Sequence, residues 1–258
     1  MNKKYYNLLS VFVFLVILII WQLLSIFPKL KFFLASPILI WQSLIDNFSS
    51  LIYSSFITGL ETIIGLIIGV FLGVFIGFLL WYSPLVAKIS KPYIIIAGAV
   101  PAFAFAPIII LWFGIGIWMK IVLAALGAFL ITLIQSYEGA NSVKNDEYRL
   151  FKVLKASRLQ ILKKVIFPSS LSWVLSSIKL CVGSALLGAF IGEFISADKG
   201  LGHFMIRAGS LYDIPSVFAG AIFLVILAII MNLLVKVIEN NRIKIVKIFS
   251  VDKNVSKL

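Results

Sequence analysis

Residues 56–82 read FITGLETIIGLIIGVFLGVFIGFLLWY. One acidic side chain, Glu61, interrupts an otherwise uncharged run longer than the roughly 20 residues that cross a bilayer. With no water in the hydrocarbon region, such a segment must satisfy its backbone hydrogen bonds internally, so it reads as a helix. Gly65, Gly69, Gly73 and Gly77 recur every fourth residue and form one smooth stripe on it. A stripe of this kind lets two helix backbones approach closely. Two readings stand, general helix packing or packing against helices that move.

Working outward, residues 6–27, 93–113, 118–137, 171–195 and 216–237 have the same apolar character. The expected fold is therefore an all-α membrane protein with six transmembrane helices in a single domain over residues 1–258. Composition agrees. The chain is 62% hydrophobic and 13% charged, against about 45–50% and about 25% in ordinary soluble domains. Its mean hydropathy is +1.11. The first run follows Lys3 and Lys4 but lacks a small-residue cleavage site, so a retained anchor is expected.

The net charge of +13 reports topology rather than nucleic-acid binding. If the N-terminus is inside, the outer segments hold only Lys29, Lys31, Lys120, Lys199 and Arg207. Lys179 lies within the fifth span, and every other Lys and Arg falls inside. By the positive-inside rule both termini are expected in the cytoplasm, and the basic segments are expected to contact anionic lipid.

Two connections exceed simple turns. At residues 36–48, Ser36 and Pro37 supply an N-cap and a first-turn proline. Pro37, Trp41, Leu44, Ile45 and Phe48 follow at helical spacing, so a short amphipathic helix on the outer surface is expected. The other connection, residues 138–170, carries seven basic and three acidic residues and is expected in the cytoplasm. Leu150, Phe151 and Leu154, then Leu159, Leu162, Val165 and Ile166, give a helical pattern that breaks at Ala156-Ser157. Ser157 and Gln160 make a capping box for a second helix. Pro168 is expected to end it.

Catalytic signatures are missing. The sequence has no Walker A loop, no HExxH and no GxSxG. Cys181 alone allows no intramolecular disulfide, and His203, read in an external loop, allows no metal site by itself. Pro101 and Pro107 bracket Phe103 and Phe105 in the third span. Either they line a pathway, where irregular backbone is tolerated, or they only kink the helix. Glu61 and Glu193, near outer span ends, and Lys179, in an inner half, either mark function or snorkel and pair.

The string LKASRLQILKKVIFP at 154–168 resembles the signature of ABC importer permeases. Lys155 falls where that family has glycine, and nine residues later comes Val165-Ile166-Phe167-Pro168. Arg149-Leu150-Phe151 replaces the family's Glu-Ala-Ala. Leu34-Ala35-Ser36-Pro37, Val100-Pro101-Ala102 with ILWFGIG at 110–116, and Glu193-Phe194 with Gly200-Leu201-Gly202 narrow the resemblance to the nitrate/sulfonate/taurine-type permeases. It implies a type I importer (MetI-like) fold in the bacterial cytoplasmic (inner) membrane. It also implies a two-fold permease homodimer, two ATPase subunits that use ATP and magnesium, and an extracytoplasmic solute-binding protein. No cofactor or metal is implied on this chain. Leu154, Lys155, Ala156, Ser157, Arg158 and Pro168 would couple to the ATPase, and Pro101, Phe103, Phe105, Pro107 and Glu193 would line the pathway. Sulfonate, taurine, nitrate and thiamine-precursor pyrimidines are the implied solutes. The alternatives are a stand-alone secondary transporter, which often shows internal repeats and midplane charges, and a membrane-embedded enzyme, which needs convergent titratable groups.

Overall fold

The computed structural model describes residues 3–27, 34–143, 145–196 and 198–240. Lys29, Lys31, Lys144, Arg242, Lys244, Lys247, Lys253 and Lys257, used above to expect an orientation, lie outside the described residues. The described residues are helical apart from short connections. The helices are α1 (Lys3–Ser25), α2 (Pro37–Asp46), α3 (Phe48–Tyr82), α4 (Pro84–Ala99), α5 (Ala106–Phe113), α6 (Ile117–Asn141), α7 (Asn145–Val153), α8 (Arg158–Ile161), α9 (Phe167–Ser196), α10 (Leu201–Ser210) and α11 (Ile214–Asn240). Among the described residues, five helical runs are long and apolar enough to cross a membrane, or six if the bent pair α4 and α5 is counted as one span.

The chain divides into two compact units whose boundaries fall inside α3, α9 and α11. The first comprises Met1–Ile57 and Glu193–Ile226. Here α2 packs on α1, and Ser36 caps α2 by accepting a bond from the Leu39 amide at 3.2 Å. The apolar stripe of α2 faces outward. Ile40 and Ser43 are its buried residues, whereas Trp41 is 65% and Ile45 60% exposed. Polar contacts set this face. Ser43 Oγ meets Ser216 Oγ at 2.9 Å, and Asn47 Nδ2 donates to the Ser43 carbonyl at 3.1 Å. The wide aromatic side is left outward, where a bilayer interface would receive it.

The second unit comprises Thr58–Gly192 and Leu227–Leu258. Helix α6 is its axis, and small residues explain why. The glycine stripe of α3 lies against it. A Cβ added at Gly65 would stand 2.8 Å from the Ile121 carbonyl, at Gly73 2.7 Å from that of Phe129, and at Gly77 2.7 Å from Ser136 Cβ. A Cβ on Gly69 would collide with the Ala125 carbonyl. On another side α9 approaches as closely. Gly127 of α6 abuts the Ser184 carbonyl, and Gly188 of α9 abuts the Leu123 carbonyl. Ala124, Ala128, Cys181, Ala185 and Ala189 fill the space between. Cys181 is buried there with its sulfur 3.1 Å from Thr132 Oγ1, as a small packed side chain.

Three span expectations change. The second span begins at Phe48, eight residues earlier than expected, because α3 follows α2 across the single residue Asn47. The third is not one helix; α4 and the segment Ala102–Phe113 meet at 94°. Pro168 does not end a helix. A π-turn at Leu162–Ile166 joins α8 to α9, and the Phe167 amide bonds back to the Leu162 carbonyl. The wider turn absorbs the donor that Pro168 lacks, so the helical run continues from Arg158 to Ser196.

Candidate translocation and coupling elements

The break at Ala156-Ser157 is built by two abutting caps. Helix α7 ends with the Ala156 amide on the Phe151 carbonyl at 3.0 Å and the Lys155 amide on the Lys152 carbonyl at 3.0 Å. This is a Schellman pair, and it forces the residue after the C-cap into the left-handed region. Lys155 takes that position with φ 53°. Glycine would reach it without strain. Helix α8 then starts on a complete capping box. The Ser157 amide donates to Gln160 Oε1 at 2.7 Å, and the Gln160 amide donates to Ser157 Oγ at 3.3 Å.

The element is clamped from beneath. Ile161, Val165 and Ile166 are buried with Phe78, Ala140 and Val174, and Phe151, Ala156 and Leu162 pack against them. Arg158 donates to the Trp81 carbonyl at 3.4 Å and lies 5.7 Å and 5.6 Å from the Trp81 and Tyr82 rings. Its other face is open. Leu150, Val153 and Leu154 are large apolar side chains left exposed, beside exposed Lys155 and Ser157. Pro168 is buried behind the turn.

The broken span is shaped by proline and glycine. Val100 is extended, and Pro101 leads into a 3-10 turn over Ala102–Phe105. Pro107 occupies the first turn of α5, and Gly114 at φ 71° ends that helix. Beside the break is a cavity of about 250 Å³ lined by Val100, Pro101, Phe103, Gly127, Ser184 and Gly188, among others. The structure thus brings Pro101 and Phe103 together with small residues of α6 and α9. Phe105 and Pro107 are not among the described residues that line this cavity.

The buried charges are engaged. Glu61 Oε1 and Lys120 Nζ form an ion pair at 3.2 Å. Lys120 was expected in an outer segment; it lies instead inside α6, 1% exposed. Proximity to the start of its span misplaced it. Glu193, fully buried, accepts from the Gly202 amide at 2.8 Å and so caps α10. Gly200, at φ 104°, leaves room for that carboxylate; a Cβ there would collide with it. His203 lies on α10, not in a loop, and its Nδ1 is buried without a hydrogen-bond partner. Lys179 is exposed on α9. Gly127 and Gly188 escaped sequence reasoning because they are spread over two helices and form no repeat.

A comparison with known families decides what this architecture belongs to. The family described as "Binding-protein-dependent transport system inner membrane component" matches residues 65–244. The chain belongs to this family. As a member it is an inner-membrane protein of the ABC importer permease class. The formylaminopyrimidine transport permease protein ThiX of Halalkalibacterium halodurans is 31% identical over 241 residues, 93% of this chain and 96% of that one. The taurine permease TauC of Escherichia coli is 33% identical over 151 residues, 58% of this chain and 55% of its own length. The putative aliphatic sulfonates permease SsuC of Bacillus subtilis is 32% identical over 145 residues, 56% and 52% of the two chains. Among solved structures, an inward-facing form of the MetNI methionine ABC transporter superposes with TM-score 0.67 at 17% identity, covering 76% of this chain and 97% of that one. The last likeness establishes the fold of this permease, the MetI-like arrangement of helices.

Proposed function

We propose that this permease forms, as a homodimer, the translocation pathway of an importer driven by two separate ATPase subunits and fed by an extracytoplasmic binding protein. The observation that carries the reading is the α7–α8 element. It is a rigid, doubly capped turn whose base is fixed to α3, α6 and α9 and whose outer face exposes Leu150, Val153 and Leu154. A face of that kind receives a partner, and a force on Ala156 and Ser157 would pass into α9 along the unbroken run from Arg158. The charge bias of the sequence supports a cytoplasmic position for this element and both termini, where an ATPase would meet it. ATP-dependent closure would then favour one of two conformations of the spans. The break at Pro101 and the cavity beside Phe103 are the segment of pathway this reading assigns, with Phe105, Pro107 and Glu193 as further candidates.

The solute we infer is a small pyrimidine related to formylaminopyrimidine. Its support is the match to ThiX along nearly the whole chain, whereas the taurine and sulfonate relatives match little more than half.

Co-purification tests the assignment. A tagged chain, gently solubilised, is expected to bring down an ATP-binding subunit, and Ala156→Arg is expected to lose it while inserting normally. Retention of the ATPase by that variant would overturn the coupling role; no ATPase at all would favour an ion-coupled secondary transporter. In proteoliposomes holding the complete system, ATP-dependent uptake of formylaminopyrimidine but not taurine is expected; the reverse preference would refute the solute.

A further inference from the structure

Helix α3 carries an apolar groove that the transport reading does not use. Phe71, Phe75, Phe78, Leu79 and Tyr82 line one wall, and Leu159, Leu162 and Phe167 line the other, enclosing about 410 Å³. Phe71 is 69% and Phe75 59% exposed, so the groove opens sideways from the helices. From Phe71 to Tyr82 it runs about 17 Å at 1.5 Å per residue. That is close to one leaflet, since the hydrocarbon core is about 30 Å thick.

A cation stands beside one end of the groove. The Arg158 guanidinium stands 5.6 Å from the ring of Tyr82, a lining residue, and spends one donor on the Trp81 carbonyl. A guanidinium has five N–H donors in a fork that matches phosphate. Lys163, exposed, directly follows Leu162, a lining residue. Apolar walls of one-leaflet length with cations at one end fit a single class of occupant.

We propose that this groove binds an anionic phospholipid, with an acyl chain along α3 and the phosphate on Arg158 and Lys163. The lipid then bridges α3 to the α8 turn and becomes a structural part of the element that joins them. A neutral lipid would fill the apolar walls but leave both cations unanswered. A helix of a second copy, about 10 Å across, would cover the aromatic wall instead.

Native mass spectrometry of the full-length chain tests this. After delipidation in detergent, the protein is titrated with phosphatidylglycerol or phosphatidylcholine of matched acyl length. Wild type is expected to bind phosphatidylglycerol more tightly. Arg158→Gln with Lys163→Gln should weaken phosphatidylglycerol binding by about thirtyfold, given what each basic residue contributes at an anionic surface, and leave phosphatidylcholine unchanged. Leu79→Trp, which fills the groove, should weaken both lipids. Equal affinity of wild type for the two lipids, or unchanged phosphatidylglycerol binding in the charge variant, would overturn the proposal. So would efficient disulfide cross-linking of Phe75→Cys between two copies in membranes, because a second chain would then occupy the groove. The readout needs no ATPase, so its outcome is separate from that of the coupling assignment.

Discussion

Glu61 and Lys120 close an ion pair at 3.2 Å in which each side chain is only 1% exposed. It ties α3 to α6, and Gly192 of α9 covers it; a Cβ there would lie 3.0 Å from Lys120 Cα. Both charges are removed from water, so each depends on the other. Deleting one partner of a buried pair costs about 3–5 kcal/mol, whereas replacing both by apolar groups is often neutral. Lys120→Met and Glu61→Leu should each lower the thermal midpoint in detergent sharply, and the double variant should recover most of the loss. A double-mutant cycle measures the coupling directly. Additive single effects would show that the pair is not a stabilising unit.

Close packing of α3 on α6 leaves no room for a methyl group. At Gly73 an added Cβ would stand 2.7 Å from the Phe129 carbonyl and 2.8 Å from Thr132 Cβ, and backbone cannot step aside. Gly73→Ala should therefore lower stability by about 1–3 kcal/mol through overpacking. Gly183 on α9 is the control, since nothing lies within 4 Å of its Cβ position. Gly183→Ala should hold or raise the midpoint, because alanine is better than glycine in a helix by up to about 1 kcal/mol. Equal responses at the two positions would refute the close-packing account.

Much of this was legible because a bilayer narrows the choices. Apolar run length located five spans and the bent pair α4 and α5, and the glycine repeat marked the tight face of α3. The capping box at Ser157 and the break at Ala156 follow from local rules, since both partners lie within one turn. Non-local facts were not legible. The partner of Glu61 lies fifty-nine positions away, and Lys120 was counted with an outer segment because it begins a span. What the inward face of α2 contacts was not legible either, because Ser43 answers Ser216, far along the chain. Proline at 168 reads as a stop under α-helical geometry, but a π-turn supplies an alternative that sequence pattern does not reveal.

Glu193 and Gly200 act as one device at the start of α10. The carboxylate accepts the Gly202 amide at 2.8 Å and stands at the positive end of the helix. Gly200→Ala should be the most damaging change, as it both collides with the carboxylate and places a side chain at φ 104°. Glu193→Ala should cost about 1–3 kcal/mol by orphaning a buried amide. Glu193→Gln keeps an acceptor and loses only the charge–dipole part, typically about 0.3–1 kcal/mol. Hydrogen exchange of the Leu201–Phe204 amides should rank the three in that order; faster exchange in Glu193→Gln than in Glu193→Ala would contradict the cap.

Lys155 holds a left-handed conformation, φ 53°, at a position where related permeases carry glycine. A side chain there costs roughly 1–2 kcal/mol. The Schellman bonds from Lys155 and Ala156 and the capping box behind them hold the turn in place regardless. Lys155→Gly should relieve the strain without altering the path of the chain. Glycine also frees the unfolded chain, which returns part of the gain, so the expected net stabilisation is about 0.5–1 kcal/mol. Lys155→Val should go the other way, because a β-branched residue tolerates this region worst. Exchange rates of the Leu154–Ala156 amides give the local reading: slower in Lys155→Gly and faster in Lys155→Val. Equal protection in the three proteins would mean that the turn does not carry the strain its geometry indicates.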